Sequence, residues 1–279
     1  MINRRGFLKS AAGGAFAGLC LPQMSFAMDR LNAIGLQLYT VRKDLEKDFE
    51  GTIGKVAAIG FKEVEFAGYY NRSAEQVKTI LKANGLKAPS AHAVLKTLTD
   101  SLQKTIDDSA AIGHRYLICS YLFPQERKSL DDYKRYVDIF NRAGEACKKA
   151  GIQFGYHNHD FEFVPMDGVV PYDLILEKCD PGLVKMELDL YWITKAKQDP
   201  LKYFAAHPGR FVLFHVKDMD NTPKQFFTEV GRGVIDFKGI FAQGKKAGVK
   251  HYFVEQDECP GPPLESAKAS IDYLKKLEF

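Results

Sequence analysis

Helix-like and strand-like stretches alternate along this chain, and the change from one to the other is marked by glycine five times. The junctions are KVAAIG-FKEVEF at Gly60, ILKANG-LKAPSAH at Gly85, SAAIG-HRYLIC at Gly113, CKKAG-IQFGYH at Gly151 and GKKAG-VKHYFVE at Gly248. Glycine suits the residue just beyond a helix because it adopts the left-handed conformation without a Cβ penalty. Successive junctions lie 25, 28, 38 and 97 residues apart, and the long last gap holds two further apolar runs, LVKMELDLYW and RFVLFHVKDMD. With IGLQLY near the start, the pattern predicts eight strands alternating with helices, the arrangement of a closed (β/α)8 barrel. In such a barrel the C-terminal strand ends converge on one mouth, where chemistry sits. The residues predicted there are Glu65, His92, His157, Asp189, His215 and Glu255.

The first 27 residues read as an export leader. A charged start, an apolar stretch AAGGAFAGLCL and the small-x-small sequence Ser25-Phe26-Ala27 have the layout of a cleavable signal peptide. Arg4-Arg5-Gly6-Phe7-Leu8-Lys9 is close to the twin-arginine signal. The apolar run is far short of the roughly 20 residues of a membrane span. The expectation is a periplasmic domain of residues 28–279, one barrel in size, without a membrane anchor after cleavage. The leader carries Arg4, Arg5 and Lys9 and no acid, so its loss brings the net charge from +4 to about +1. That balance gives no support to a nucleic-acid partner. Cys119, Cys147, Cys179 and Cys259 contain no CxxC spacing, so buried free thiols are expected rather than a zinc–thiolate site. Cys259-Pro260-Gly261-Pro262-Pro263 reads as a rigid loop over the mouth, and 218–236 as a long loop after strand seven.

Asp189, His215 and Glu255 each end a strand-like run, and carboxylate and imidazole ligands suit a borderline divalent ion such as Mn, Zn or Co. One such ion is the expected cofactor. The fourth ligand is read from GYHNHDFEF: His157 is favoured because it lies nearer the end of the apolar run, and His159 or Glu162 could replace it.

The runs Gln37-Leu38-Tyr39-Thr40-Val41-Arg42, HNHDFEF (157–163), ELDLYW (187–192), His215-Val216-Lys217-Asp218 and Val230-Gly231-Arg232-Gly233 resemble the sugar phosphate isomerase/epimerase group. That resemblance covers essentially the whole chain beyond the leader and implies the xylose-isomerase-like TIM barrel. It also implies a metal held by Glu, Asp, His and Glu from strands five to eight, matched here by His157, Asp189, His215 and Glu255. Two positions depart from it. His157 stands where the group usually has Glu, and Trp192 stands where many epimerases have a substrate-binding His.

The resemblance implies proton abstraction next to the carbonyl of a keto-sugar, assisted by the metal as Lewis acid. Epimerisation wants a base on each face of the carbon. Glu255 can be one base, but a metal-bound His157 is a poor second, so a one-base reaction fits better. It would be isomerisation, or a lyase or dehydratase reaction on a 3-keto sugar or glycoside. His92 and Lys217 are the candidate acids, with Glu65, His92, His159, Trp192 and Lys217 as substrate contacts, and Tyr69-Tyr70 as a further apolar wall. Glu65 and Lys217 have a plainer reading as salt-bridge residues on the rim of the mouth. The expected partner is a small sugar, unphosphorylated because no Arg cluster marks a phosphate site. Two other classes fit less well. A nuclease needs a basic surface, and a non-catalytic sugar binder has no use for Asp189, His215 and Glu255 together.

Overall fold

A computed structural model describes residues 29–279. The leader segment, with its twin arginines, lies outside the described residues. Eight parallel strands close into a barrel: β1 (Gly35–Gln37), β2 (Glu63–Phe66), β3 (Lys87–Ala93), β4 (Tyr116–Cys119), β5 (Gln153–His157), β6 (Val184–Asp189), β7 (Phe211–Val216) and β8 (His251–Val254). Each pairs with its neighbours in sequence, and β8 closes on β1 through Gly35↔Phe253 and Leu36↔Val254. All five junction glycines have positive φ, from 64° at Gly85 to 108° at Gly60, so the helix-stop reading holds at each.

Strand alternation sorts the barrel interior into layers. Ile118, Leu213 and Phe253 form an apolar plug, buried apart from the main core between sheet and helices. Two inward positions stay small to admit it. A Cβ on Gly35 would lie 2.3 Å from Phe253 Cδ1, and one on Gly155 2.6 Å from Ile118 Cδ1. Two residues further along the same strands the inward positions turn polar: Gln37, His157, His215 and Glu255. The polar layer therefore sits on a dry floor.

The strand within LVKMELDLYW stops at Asp189, where the sequence places its end, and the rest of the run turns into a helix spanning Leu190–Lys195. The switch is local: Asp189 Oδ1 accepts the N–H groups of Tyr191 and Trp192, both at 2.9 Å, and caps the helix. The loop 218–236 contains a two-stranded antiparallel ribbon, Asp218–Met219 with Phe227–Thr228. Cys119, Cys147 and Cys179 are buried and free, and Cys259 is free but half-buried. Among the described residues no helix is long and apolar enough to cross a membrane.

Candidate metal and acid–base centre

At the C-terminal ends of β5 to β8, His157, Asp189, His215 and Glu255 offer ligand atoms that all lie within 4.8 Å of one another, and all four residues are buried. Their side chains arrive from adjacent strands. The ring of His157 is oriented by Ser120, whose carbonyl lies 3.1 Å from Nδ1, which leaves Nε2 facing Asp189 Oδ2 at 3.4 Å. That nitrogen is buried without a hydrogen-bond partner. His215 Nδ1 lies 3.0 Å from Glu255 Oε2 and 3.8 Å from Asp189 Oδ2. Lys217, two residues beyond His215 and so on the same face, places Nζ 3.1 Å from Asp189 Oδ2, 2.6 Å from Glu255 Oε2 and 2.6 Å from Asp257 Oδ2. Burial opposes the charge on Lys217, but Asp189, Asp257 and Glu255 outweigh it and hold the ammonium well above its usual range. Burial likewise opposes ionisation of Glu255, yet Lys217 and His215 hold its carboxyl well below the usual carboxylate range.

A second group lies beside this one. His92 Nε2 is 2.6 Å from Glu187 Oε2 and 3.3 Å from Glu65 Oε2, and His215 Nε2 is 2.7 Å from Glu65 Oε2 and 3.3 Å from Glu187 Oε2. Gln37 Nε2 and the Ser90 hydroxyl donate to the two oxygens of Glu65. Two carboxylates thus face two imidazoles. Burial lowers the basicity of His92, but Glu65 and Glu187 reverse this and raise its pKa. His215 is raised well above the imidazole range, with Glu187 and Glu255 overcoming its burial. Glu187 in turn is held well below the carboxylate range by His215 and His92 against its own desolvation. His215 joins the two groups, one ring nitrogen on each side.

The family model for the xylose isomerase-like TIM barrel matches residues 53–277. The chain belongs to that family. An inosose dehydratase from Lacticaseibacillus casei is 24% identical over 270 residues, covering 82% of this chain and 89% of that protein. A sugar phosphate isomerase/epimerase structure from Parabacteroides distasonis is 30% identical with a TM-score of 0.77, covering 88% of this chain and 98% of that one. The structure of the IOLI protein with a bound zinc atom shares the fold, with a TM-score of 0.71 at 12% identity over 88% of this chain and 99% of that one.

As a member of the xylose isomerase-like family, this chain has a donor set that fits a divalent ion. His157 Nε2, buried without a hydrogen-bond partner, faces Asp189 Oδ2, which Lys217 Nζ approaches to 3.1 Å, and oxygen and imidazole donors suit Mn, Zn or Co. Of the alternatives to His157, neither joins the four converging ligand residues, although the His159 ring lies 4.9 Å from that of His157. Glu162 accepts the hydroxyl of Tyr156 and, at 2.8 Å, the backbone N–H of His159. His159 instead enters an aromatic corner, with ring centroids 4.8 Å from Tyr121, 5.4 Å from Phe161 and 5.3 Å from Trp192. Lys217 Nζ lies 5.5 Å from the Trp192 ring, so this corner borders the buried charged cluster.

Several site readings are corrected. Glu65 and Lys217 are not rim salt-bridge residues; both are fully buried inside the barrel. Glu65, bonded to Gln37, Ser90 and His215, faces His92 and His215 rather than solvent. Tyr69 and Tyr70 form no wall here. The Tyr69 hydroxyl is 3.0 Å from His114 Nε2, and Tyr70 tilts against Phe49 between helices and sheet. Glu187, Asp257, Gln37 and Ser90 went unread in the sequence. The available signal was period two: Glu187 precedes Asp189 by two, Ser90 precedes His92 by two, and Asp257 follows Glu255 by two. Asp257 stands beside a cleft of about 490 Å³ also lined by Thr40, Arg42 and Cys259.

Proposed function

We propose that this protein is a metal-dependent enzyme that removes the proton beside the carbonyl of a keto-sugar or related polyol and expels a group from the next carbon, a lyase reaction. The observation that carries the proposal is a pair of groups driven apart in acidity within one buried chamber. Glu255 is held ionised and His92 is held towards its protonated form, with His215 between them, its ring centroid 5.3 Å from that of His92. A divalent ion held by His157, Asp189, His215 and Glu255 would supply Lewis acidity to a carbonyl oxygen and acidify the neighbouring C–H. Glu255 receives that proton as the C–H bond breaks. The electron pair forms a C–C double bond, and the bond to the leaving oxygen breaks. His92 gives its proton to that oxygen, so a hydroxyl departs as water. Glu187 and Glu65 hold the His92 ring in place and, as carboxylates, favour its return to the protonated form with a proton taken from water. His159 and Trp192 offer an apolar face for a sugar ring.

The relation to inosose dehydratases supports the lyase outcome, as does the imidazole of His157 where a second glutamate base would stand. The isomerase reading, in which one base returns the proton to the neighbouring carbon, is favoured by the relation to the sugar phosphate isomerase/epimerase structure. The zinc in the IOLI protein supports a divalent ion of the Zn, Mn or Co class. We also propose that the twin-arginine leader exports the folded barrel to the periplasm. The test of the reaction uses protein loaded in turn with Mn, Zn and Co, given an inosose and a free ketose in deuterated water. Loss of water with formation of a conjugated enone identifies the lyase. Deuterium gained without loss of water identifies the isomerase. Neither change with any of the three ions refutes both.

A further inference from the structure

Lys217 already sits where a cation is wanted. Its ammonium contacts Asp189 Oδ2 at 3.1 Å and Glu255 Oε2 at 2.6 Å. These are the same oxygens that face His157 Nε2 and His215 Nδ1. Three carboxylates converge on this one ammonium, and its side chain is 1% exposed. Removing the lysine charge without replacement would leave the Asp189 and Glu255 carboxylates buried beside one another, a costly arrangement. Adding a dication to the same oxygens with the ammonium in place is also opposed, because like charges a few ångströms apart repel strongly at low dielectric.

The geometry supplies a way out. Nζ is already 2.6 Å from Asp257 Oδ2, and Asp257 is the most exposed of the three carboxylates, at 24%. Because Nζ already contacts Asp257, a change of lysine rotamer is enough to draw it off Asp189 and Glu255. The rings of Trp192 and Phe227, 5.5 and 5.6 Å from Nζ, stand on its flank and suit an ammonium.

We propose that Lys217 is the resident countercation of the metal-free site, and that a divalent ion binds by exchange, displacing the ammonium from Asp189 and Glu255 onto Asp257. This rests on the reading of His157, Asp189, His215 and Glu255 as a metal centre. Metal affinity is then set by a competition written into the chain: Lys217 weakens binding, and Asp257 relieves that weakening. The barrel also keeps its charges paired before any ion arrives.

The test is calorimetric titration of the metal-stripped full chain with Zn²⁺ and with Mn²⁺. Lys217→Met and Lys217→Gln are expected to bind at least about tenfold more tightly than the unaltered protein, which is about 1.4 kcal/mol. Asp257→Asn is expected to bind more weakly. That direction alone also follows from simple loss of a nearby negative charge. The double variant Lys217→Met/Asp257→Asn decides between them, since exchange requires the Asp257→Asn penalty to vanish once the lysine is gone, whereas simple charge loss leaves it intact. Lys217→Gln, which keeps a polar group in the slot, takes the place of Lys217→Met should that variant not fold. Unaltered protein that binds neither ion overturns the metal centre and this inference with it. Unaltered protein that binds, alongside lysine variants that bind equally or more weakly, overturns the exchange alone.

Discussion

Glu187 offers the sharpest test of the electrostatics inside the barrel. Glu187→Gln keeps the shape of the side chain and removes one charge from a chamber holding two imidazoles. Breaking a buried ion pair by removing one partner often costs about 3–5 kcal/mol. Here the cost is smaller, because each imidazole keeps another carboxylate: His92 has Glu65 at 3.3 Å, and His215 has Glu65 at 2.7 Å and Glu255 at 3.0 Å. What is lost is the 2.6 Å charge-assisted bond to His92, worth about 2–3 kcal/mol. For a chain of this size that lowers Tm by roughly 5–10 °C. The loss depends on pH with a definite sign. His92 is raised in the folded protein, so its stabilisation is complete below the ordinary imidazole value of about 6.5 and fades as pH rises through the folded value. Glu187 is lowered, so its own contribution disappears only well below the carboxylate range. Thermal unfolding of the metal-stripped protein in buffers near pH 6 and near pH 9 should therefore show a large deficit for Glu187→Gln at the lower pH and a small one at the higher. An equal deficit at both values, or none at pH 6, would refute the account of this chamber.

Glu255→Gln should retain much of the metal affinity through its carbonyl oxygen and lose roughly 10²–10⁴ of the solvent deuterium exchange at the carbon beside the carbonyl; unchanged exchange would leave Glu255 a ligand only. Burial pushes Glu162 up to about 7, against the bonds from Tyr156 and His159, so the unaltered protein loses stability as pH rises from the ordinary carboxylate range through about 7. Glu162→Gln should remove that slope, worth at most roughly 3 kcal/mol, and melting curves at acidic and mildly alkaline pH would expose a slope that persists. Replacing Arg4 and Arg5 by lysine should hold the precursor in the cytoplasm, and mature protein still arriving in the periplasm would show a different export route.

The barrel was legible because its helix stops are written in glycine and its strands in dense apolar runs. His157, Asp189, His215 and Glu255 were legible because each is a ligand-type side chain at the end of such a run. Glu187 was not, because a carboxylate in the middle of VKMELD reads as an outward residue unless the face of Asp189 is counted backwards by two. Gln37 and Ser90 carry no charge to draw attention, and their importance arises only when Glu65 is brought between them. The helix that follows β6 was not legible for a related reason. Leu190-Tyr191-Trp192 suits a strand by composition, and the choice of helix is made by a side-chain cap that composition does not reveal.

Asp189 divides its two oxygens between unlike duties. Oδ1 fastens the first turn of the helix carrying Trp192, and Oδ2 faces His157 in the centre of the barrel. The reaction centre and one wall of the chamber are therefore surveyed from a single fixed point. A change of sequence in the turn after β6 cannot widen or narrow the space for a substrate without also re-aiming an atom at the centre. Remodelling this barrel for a larger sugar would be freer elsewhere, in the ribbon that carries Phe227 or in the segment of Tyr121, which approach the same space without sharing that anchor.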